Sequence, residues 1–398
     1  MNKKLLFLIP IIFLLTGCWN YQELNSLAIS TAMAIDKNDD GYEVSILIAN
    51  SKKSQVSSKE GESQTVVYSA KGKTLSDALK NIDLENPRQT YIGHLSVIVI
   101  SENVAKDGLM NTLDLLLRDS ESTKRFYVAI AKDYKAKEII KIISPLETFP
   151  SQTISTNIRA SSESQAVSAA VTYSKYIESL LKVGINPMLP TIIIEGDAKD
   201  GSEEKSLEKA SPDAILKLST LSIFKKDKLV GYATKDESRG INLMAGKINE
   251  MIVKYECDSD YLVTSLSQLK TNIKISFKND LPVATIYISG NGDITENNCN
   301  LKLTDKKVIK KIQKGINKEI KNLIDKGLKL LKEDYKSDVI GFGNLVYKKN
   351  PSYFKEIKNW DEDEFPNLKV NVKTKINLST KGSARQSIKE AIDENKDI

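Results

Sequence analysis

The stretch DKKVIKKIQKGINKEIKNLIDKGLKLLKEDY, residues 305–335, decides the fold class. Ile309, Ile312, Ile316, Ile320, Leu323, Gly327 and Leu330 recur at gaps of three and four. That spacing sets them along one stripe of a single long amphipathic helix. Lys307, Lys311, Lys314, Lys318 and Lys321 fall on the other face, readable as a solvated side or as a surface for anionic headgroups or an acidic partner. Upstream, residues 251–256, 261–277 and 282–294 read as strands, and Lys278-Asn279-Asp280 supplies the turn between the last two. Residues 368–378 alternate as a closing strand. A long helix laid on an antiparallel sheet is α+β architecture, here a C-terminal domain over residues 251–385.

The first half reads differently. Strands are expected at 27–35, 42–49, 64–70, 95–100 and 126–131, and helices at 74–84, 103–118 and 135–143. This alternation with short connections implies a mixed α/β N-terminal domain over residues 18–190. Residues 51–63, rich in Ser, Lys, Glu and Gln, read as an exposed loop. Residues 151–170 suit a helix or a mobile connector. Residues 171–183 are helical in spacing and stop before Pro187 and Pro190. A polar stretch at 195–211, a hairpin at 215–224 and 229–233, and a helix at 237–248 suggest a linker and small middle domain over 191–250. The fold class is therefore α+β (mixed α/β) in three domains, with mixed and antiparallel sheets and a polar tail at 386–398.

Lys3 and Lys4, an apolar run over residues 5–15 and the close Leu15-Thr16-Gly17-Cys18 form an export segment with a lipobox. Residues 1–17 are expected to be a lipoprotein signal peptide and Cys18 the lipid-attachment residue. No later segment approaches the ~20 apolar residues of a membrane span. The net charge of the 398-residue chain is +6, falling to +4 without Lys3 and Lys4. That balance does not suggest nucleic acid and suits a position beside anionic phospholipid. Of three cysteines, Cys257 and Cys299 remain outside the cytoplasm, compatible with one disulfide or with two separate thiols.

His94 is the only histidine, so a His-rich metal site cannot assemble within one chain, and one His by itself gives no catalytic constellation. It sits before an apolar strand and reads as a hydrogen-bonded residue at the strand entrance. Ala70-Lys71-Gly72-Lys73-Thr74 has the end of a phosphate-binding loop, but Val67 stands where its first Gly is needed. Gly290-Asn291-Gly292-Asp293 and Gly341-Phe342-Gly343 are turn or close-packing signals. Asp361-Glu362-Asp363-Glu364, beside Trp360, reads as a solvated loop. No catalytic residue, cofactor or metal site follows.

Several blocks together resemble the Ger(x)C family, the lipoprotein C subunits of spore germinant receptors of the GerA type. They are Cys18-Trp19-Asn20-Tyr21-Gln22-Glu23-Leu24-Asn25, Ala34-Ile35-Asp36-Lys37, Tyr91-Ile92-Gly93-His94-Leu95, Leu115-Leu116-Leu117-Arg118-Asp119, Asn186-Pro187-Met188-Leu189-Pro190, Asp338-Val339-Ile340-Gly341-Phe342-Gly343, Asn350-Pro351 and Trp360. Asn20 departs from the Asp frequent after that Trp. The resemblance implies a non-enzymatic subunit in three α/β-type domains, without cofactor. It implies lipid anchoring to the outer face of the spore inner membrane, beside a multi-pass A subunit and a transporter-like B subunit. The alternatives are a substrate-binding lipoprotein of a transporter, disfavoured by the unlike halves, and an exported hydrolase, disfavoured because the one histidine comes with no paired site.

Overall fold

The computed structural model describes residue 23 and residues 26–50, 64–119, 122–257, 260–299 and 301–379. The export segment, Cys18, the 51–63 stretch and the 386–398 tail lie outside them.

The first sheet begins with β1 (Leu27–Asn38), β2 (Gly41–Ala49) and β3 (Thr65–Gly72). Helix α1 (Leu75–Glu85) follows, then β4 (Gln89–Tyr91), β5 (Val97–Ser101), α2 (Glu102–Asp107), α3 (Met110–Arg118) and β6 (Tyr127–Ala131). Three helices come next, α4 (Ala136–Ile139), α5 (Pro150–Ser164) and α6 (Tyr173–Leu181), and then β7 (Met188–Gly196), β8 (Ala214–Lys225) and β9 (Lys228–Tyr232). The strand order is β3-β2-β1-β5-β6-β7-β8-β9, with β4 beside the start of β1. Parallel pairs β1/β5, β5/β6 and β6/β7 form the centre. Antiparallel pairs flank it on both sides. The centre is buried on both faces, as parallel strands require. In β5, Ile98 and Ile100 join a core with α1, α2, α3 and α6, while Val97 and Val99 join a second core with Ile139 of α4 and Ile154 and Ile158 of α5.

Local chemistry explains the deviations from the expected elements. The phosphate-loop-like segment is a strand end leading into α1. Thr74 Oγ1 accepts from Asp77 N (3.1 Å), and the Asp77 carboxylate accepts from Thr74 N (3.2 Å), a capping box. The helix expected over 103–118 is two helices, broken at Gly108, whose φ of +122° no right-handed helix accommodates. There the Asp227 carboxylate and carbonyl accept from Met110 N and Leu109 N. The helix expected over 135–143 shortens to α4. Buried Asp36 starts it, accepting from Ala136 N (2.8 Å) and Lys137 N (2.9 Å). Residues 150–164 are helical, and the polar 195–211 stretch contains two short 3₁₀ turns. Strand β7 runs across the 190/191 junction, and β8 and β9 complete the first sheet.

Helix α7 (Lys235–Met244) leads to the second sheet, β10 (Met251–Cys257), β11 (Asp260–Lys278) and β12 (Leu281–Asn297). Helix α8 (Lys306–Lys329), a π-helical turn at Leu330–Asp334, α9 (Phe342–Lys349), α10 (Pro351–Glu356) and β13 (Lys369–Ser379) complete the fold. Strands β10, β11 and β12 are antiparallel, but β13 runs parallel to β12. The second sheet is therefore mixed rather than antiparallel throughout. The reason is that α8 carries the chain back along the sheet, the crossover that parallel neighbours need. Ile312, Ile316, Ile320, Leu323 and Gly327 of α8 are buried, Ile309 is half-buried, and the five lysines read on its other face are exposed. One continuous apolar core runs from the first sheet through α7 and α8 into the second.

Candidate functional site

The blocks at 186–190, 338–343 and 360–361 meet at the junction of the two sheets. Asp338 follows the end of the long helix and is fully buried. Its carboxylate accepts from Ile340 N (3.2 Å), Gly341 N (2.7 Å), Gly343 N (2.7 Å) and Trp360 Nε1 (2.9 Å). Gly343 lies in the first turn of α9 and Gly341 is its N-cap, so the carboxylate sits at a helix N-terminus, where it is favoured. Trp360 stacks on Phe354 with centroids 5.6 Å apart. A Cβ on Gly343 would lie 2.6 Å from Trp360 Nε1, so glycine is what lets the indole approach.

The Asp361 carboxylate accepts twice from Asn186 Nδ2 (2.9 and 3.0 Å) and once from Asp338 N (3.1 Å). Asn186 N donates to Asp338 O (2.8 Å), and Asn186 Oδ1 accepts from Lys226 N (2.8 Å). Glu362 pairs with Lys225 and with Lys336. Residues 186 and 225–226 adjoin β7 and the β8–β9 hairpin, so this network ties the first sheet to the segment after α8. The acidic run read as a solvated loop is a π-helical turn, Trp360–Glu364, whose first two acidic residues hold the junction. Sequence reasoning missed Asp338 and Asp361 as a pair of anchors, because each looks like an ordinary turn residue.

Burial raises the Asp338 carboxyl to about 6, against the pull of its four hydrogen bonds. A carboxyl raised above its unfolded value adds stability below the unfolded pKa near 3.8 and loses it as pH rises through about 6. The stability gap between wild type and Asp338→Asn is therefore expected to be about 2 kcal/mol wider at pH 4 than at pH 7.5. Urea denaturation of both proteins at the two pH values checks this; a constant gap contradicts it.

The other singled-out residues lie apart from this node. His94 is exposed, its ring edge-on to Tyr91 at 5.8 Å. Cys257, at the end of β10, and Cys299, just after β12, have Cα atoms 6.0 Å apart, within disulfide range. Among the described residues no cluster of three or more His, Cys, Asp and Glu side chains could hold a metal ion, and no helix is long and apolar enough to cross a membrane. The junction is thus a structural clamp in which these side chains satisfy one another.

The profile described as "Spore germination protein N-terminal domain" matches residues 20–194, and "Spore germination B3/GerAC like, C-terminal" matches residues 219–382. The chain is 28% identical over 388 residues to spore germination protein KC of Bacillus subtilis (strain 168), covering 95% of each chain. It is 24% identical to spore germination protein B3 of the same organism, covering 87% of this chain and 90% of that one. The crystal structure of the GerBC protein superposes with a TM-score of 0.55 at 18% identity, covering 87% of this chain and 96% of that chain, and so shares the fold. The two profiles in tandem, with relatives aligned nearly end to end, establish that the chain belongs to the Ger(x)C family of spore germination proteins.

Proposed function

We propose that this chain is the non-catalytic lipoprotein C subunit of a spore germinant receptor, required for nutrient-triggered germination. The observation that carries this is the succession of two germination-family profiles over residues 20–194 and 219–382. The clamp around Asp338 supports a scaffold role, since a body that holds partners in place needs its two sheets locked together. In this reading Cys18 bears the lipid and holds the body to the outer face of the spore inner membrane. There it covers a multi-pass A subunit and a transporter-like B subunit and stabilises their assembly. Among the described residues the sheets differ, one nine-stranded and one four-stranded, which disfavours the paired lobes of a transporter's substrate-binding lipoprotein.

For the organisation we keep three parts, residues 18–190, 191–250 and 251–385. The middle part is the mechanical link: its strands finish the first sheet and α7 packs on α8.

Spores lacking the gene are expected to fail with a particular nutrient while answering a receptor-independent trigger. Cys18→Ala is expected to release the protein from the membrane fraction and to abolish the nutrient response. Full retention with full germination would sink the anchor reading. We also assign Cys257 and Cys299 as a disulfide pair. At a sequence separation of 42, the chain-entropy model puts its contribution at up to about 4 kcal/mol. Reduction is expected to lower the unfolding midpoint, whereas two freely alkylated thiols in the exported protein contradict the pairing.

A further inference from the structure

The outer face of the second sheet carries a charge pattern that the clamp does not use. Residues 261–279, 281–292 and 369–379, which make up most of β11, β12 and β13, contain no Asp or Glu. The register puts Lys270 and Lys375 in one cross-strand row, either side of Ser289, and sets Lys373 beside Tyr287. Lys274 and Lys369 occupy the next two rows. All five lysines are exposed, while the opposite face of the same strands packs against α8. Lys274 and Lys373 place their Nζ atoms 5.7 and 5.5 Å from the Tyr287 ring centroid. Among the described residues none of the five enters an ion pair.

Four rows on three strands span about 20 Å by 10 Å. Two ordinary explanations fall short of this pattern. A solvated surface intersperses both signs, as α8 does by placing Glu319 and Asp325 among its lysines. Lysines also guard sheet edges against pairing with other strands. That purpose needs only a charge or two per edge, of either sign, and does not call for five cations in four successive rows with no acid among them. Held together, these lysines repel one another, and the repulsion is relieved when a layer of anions covers them.

We propose that this face docks on an anionic phospholipid surface, with the lysines against the headgroups and the Tyr287 ring at headgroup level. The choice of a bilayer over an acidic protein rests on the lipoprotein reading of Cys18. The diacylglycerol that a lipobox cysteine receives sets the body beside the bilayer, and a basic face turned to the headgroups adds to that hold and orients the body. The geometry also separates it from the lysines of α8, which lie on the far side of the sheet–helix layer.

The test measures partition of the full chain onto vesicles of phosphatidylcholine alone and of phosphatidylcholine mixed with phosphatidylglycerol. A lipid at Cys18 contributes alike to both, so loss of the anchor reading leaves this comparison standing. At about fivefold per lysine in low salt, phosphatidylglycerol is expected to strengthen binding at least about a hundredfold, and salt near molar strength to erase the gain. The variant carrying Lys270→Gln, Lys274→Gln, Lys369→Gln, Lys373→Gln and Lys375→Gln is expected to lose the gain. A variant with Lys307→Gln, Lys311→Gln, Lys314→Gln, Lys318→Gln and Lys321→Gln, the same charge change on α8, is expected to keep it. The proposal is overturned if phosphatidylglycerol adds nothing, if the sheet variant binds like wild type, or if both variants lose the gain equally. Capture by an acidic protein without any vesicle gain overturns it too.

Discussion

Replacing Asp338 by alanine is expected to destabilise the protein by about 3–5 kcal/mol, the larger of two effects that follow from the fold. The carboxylate takes the N–H groups of Ile340, Gly341 and Gly343 and the Trp360 indole N–H in a site closed to water. Alanine leaves those donors buried without an acceptor, at roughly 1–3 kcal/mol each before relaxation. Relaxation is restricted, because Trp360 is held by its stack on Phe354 and Asp338 N is itself bound to Asp361. The loss should spread across the junction, since Asn186 and Lys226 hang on the same network. Denaturant unfolding followed by tryptophan fluorescence reads the effect. A midpoint within error of wild type would show that the two sheets do not depend on this node.

Gly240→Ala is expected to cost about 3 kcal/mol or more, through the contact between α7 and α8. A Cβ at residue 240 would lie 1.9 Å from the Leu323 carbonyl oxygen, a backbone atom that no rotamer change can move. The two helices would have to separate, opening the seam around Ile241, Leu323 and Ile324, all buried. Gly327 faces the same seam from α8, but its Cβ would meet Ile241 N at 3.1 Å and Glu237 O at 3.2 Å. Gly327→Ala is accordingly expected to be milder. Thermal unfolding of the two single variants checks the order, and equal midpoints would contradict it.

Local patterns and long-range contacts differed in how far they could be read. The stripe of α8 was legible because helix periodicity is a local property, and Ile312, Ile316, Ile320 and Leu323 needed only their spacing. Strand β5 was legible for a similar reason, as a short apolar run. The break at Gly108 was hidden because its flanks keep helical spacing, and Asp227, which holds the break, lies far away in the chain. The clamp was hidden more deeply. Asn186, Asp338 and Asp361 are neighbours only after both sheets have formed. The blocks that carry the family resemblance could therefore be named without saying that several of them meet.

The sheet lysines show the same limit. Alternation along β11 and β13 announces half-buried strands, whereas the pairing register alone aligns Lys270 with Lys375 and sets Lys373 beside Tyr287. Composition, periodicity and motif order by themselves determined the mixed α and β class, the long helix and the family. The direction of β13, the membership of β7, β8 and β9 in the first sheet, the buried carboxylate clamp and the lysine rows of the second sheet were decided only by tertiary structure. The reason is physical: a side chain's spacing is set by its own backbone, but its burial, its hydrogen-bond partners and its neighbouring charges are set by chain segments that folding brings from far along the sequence.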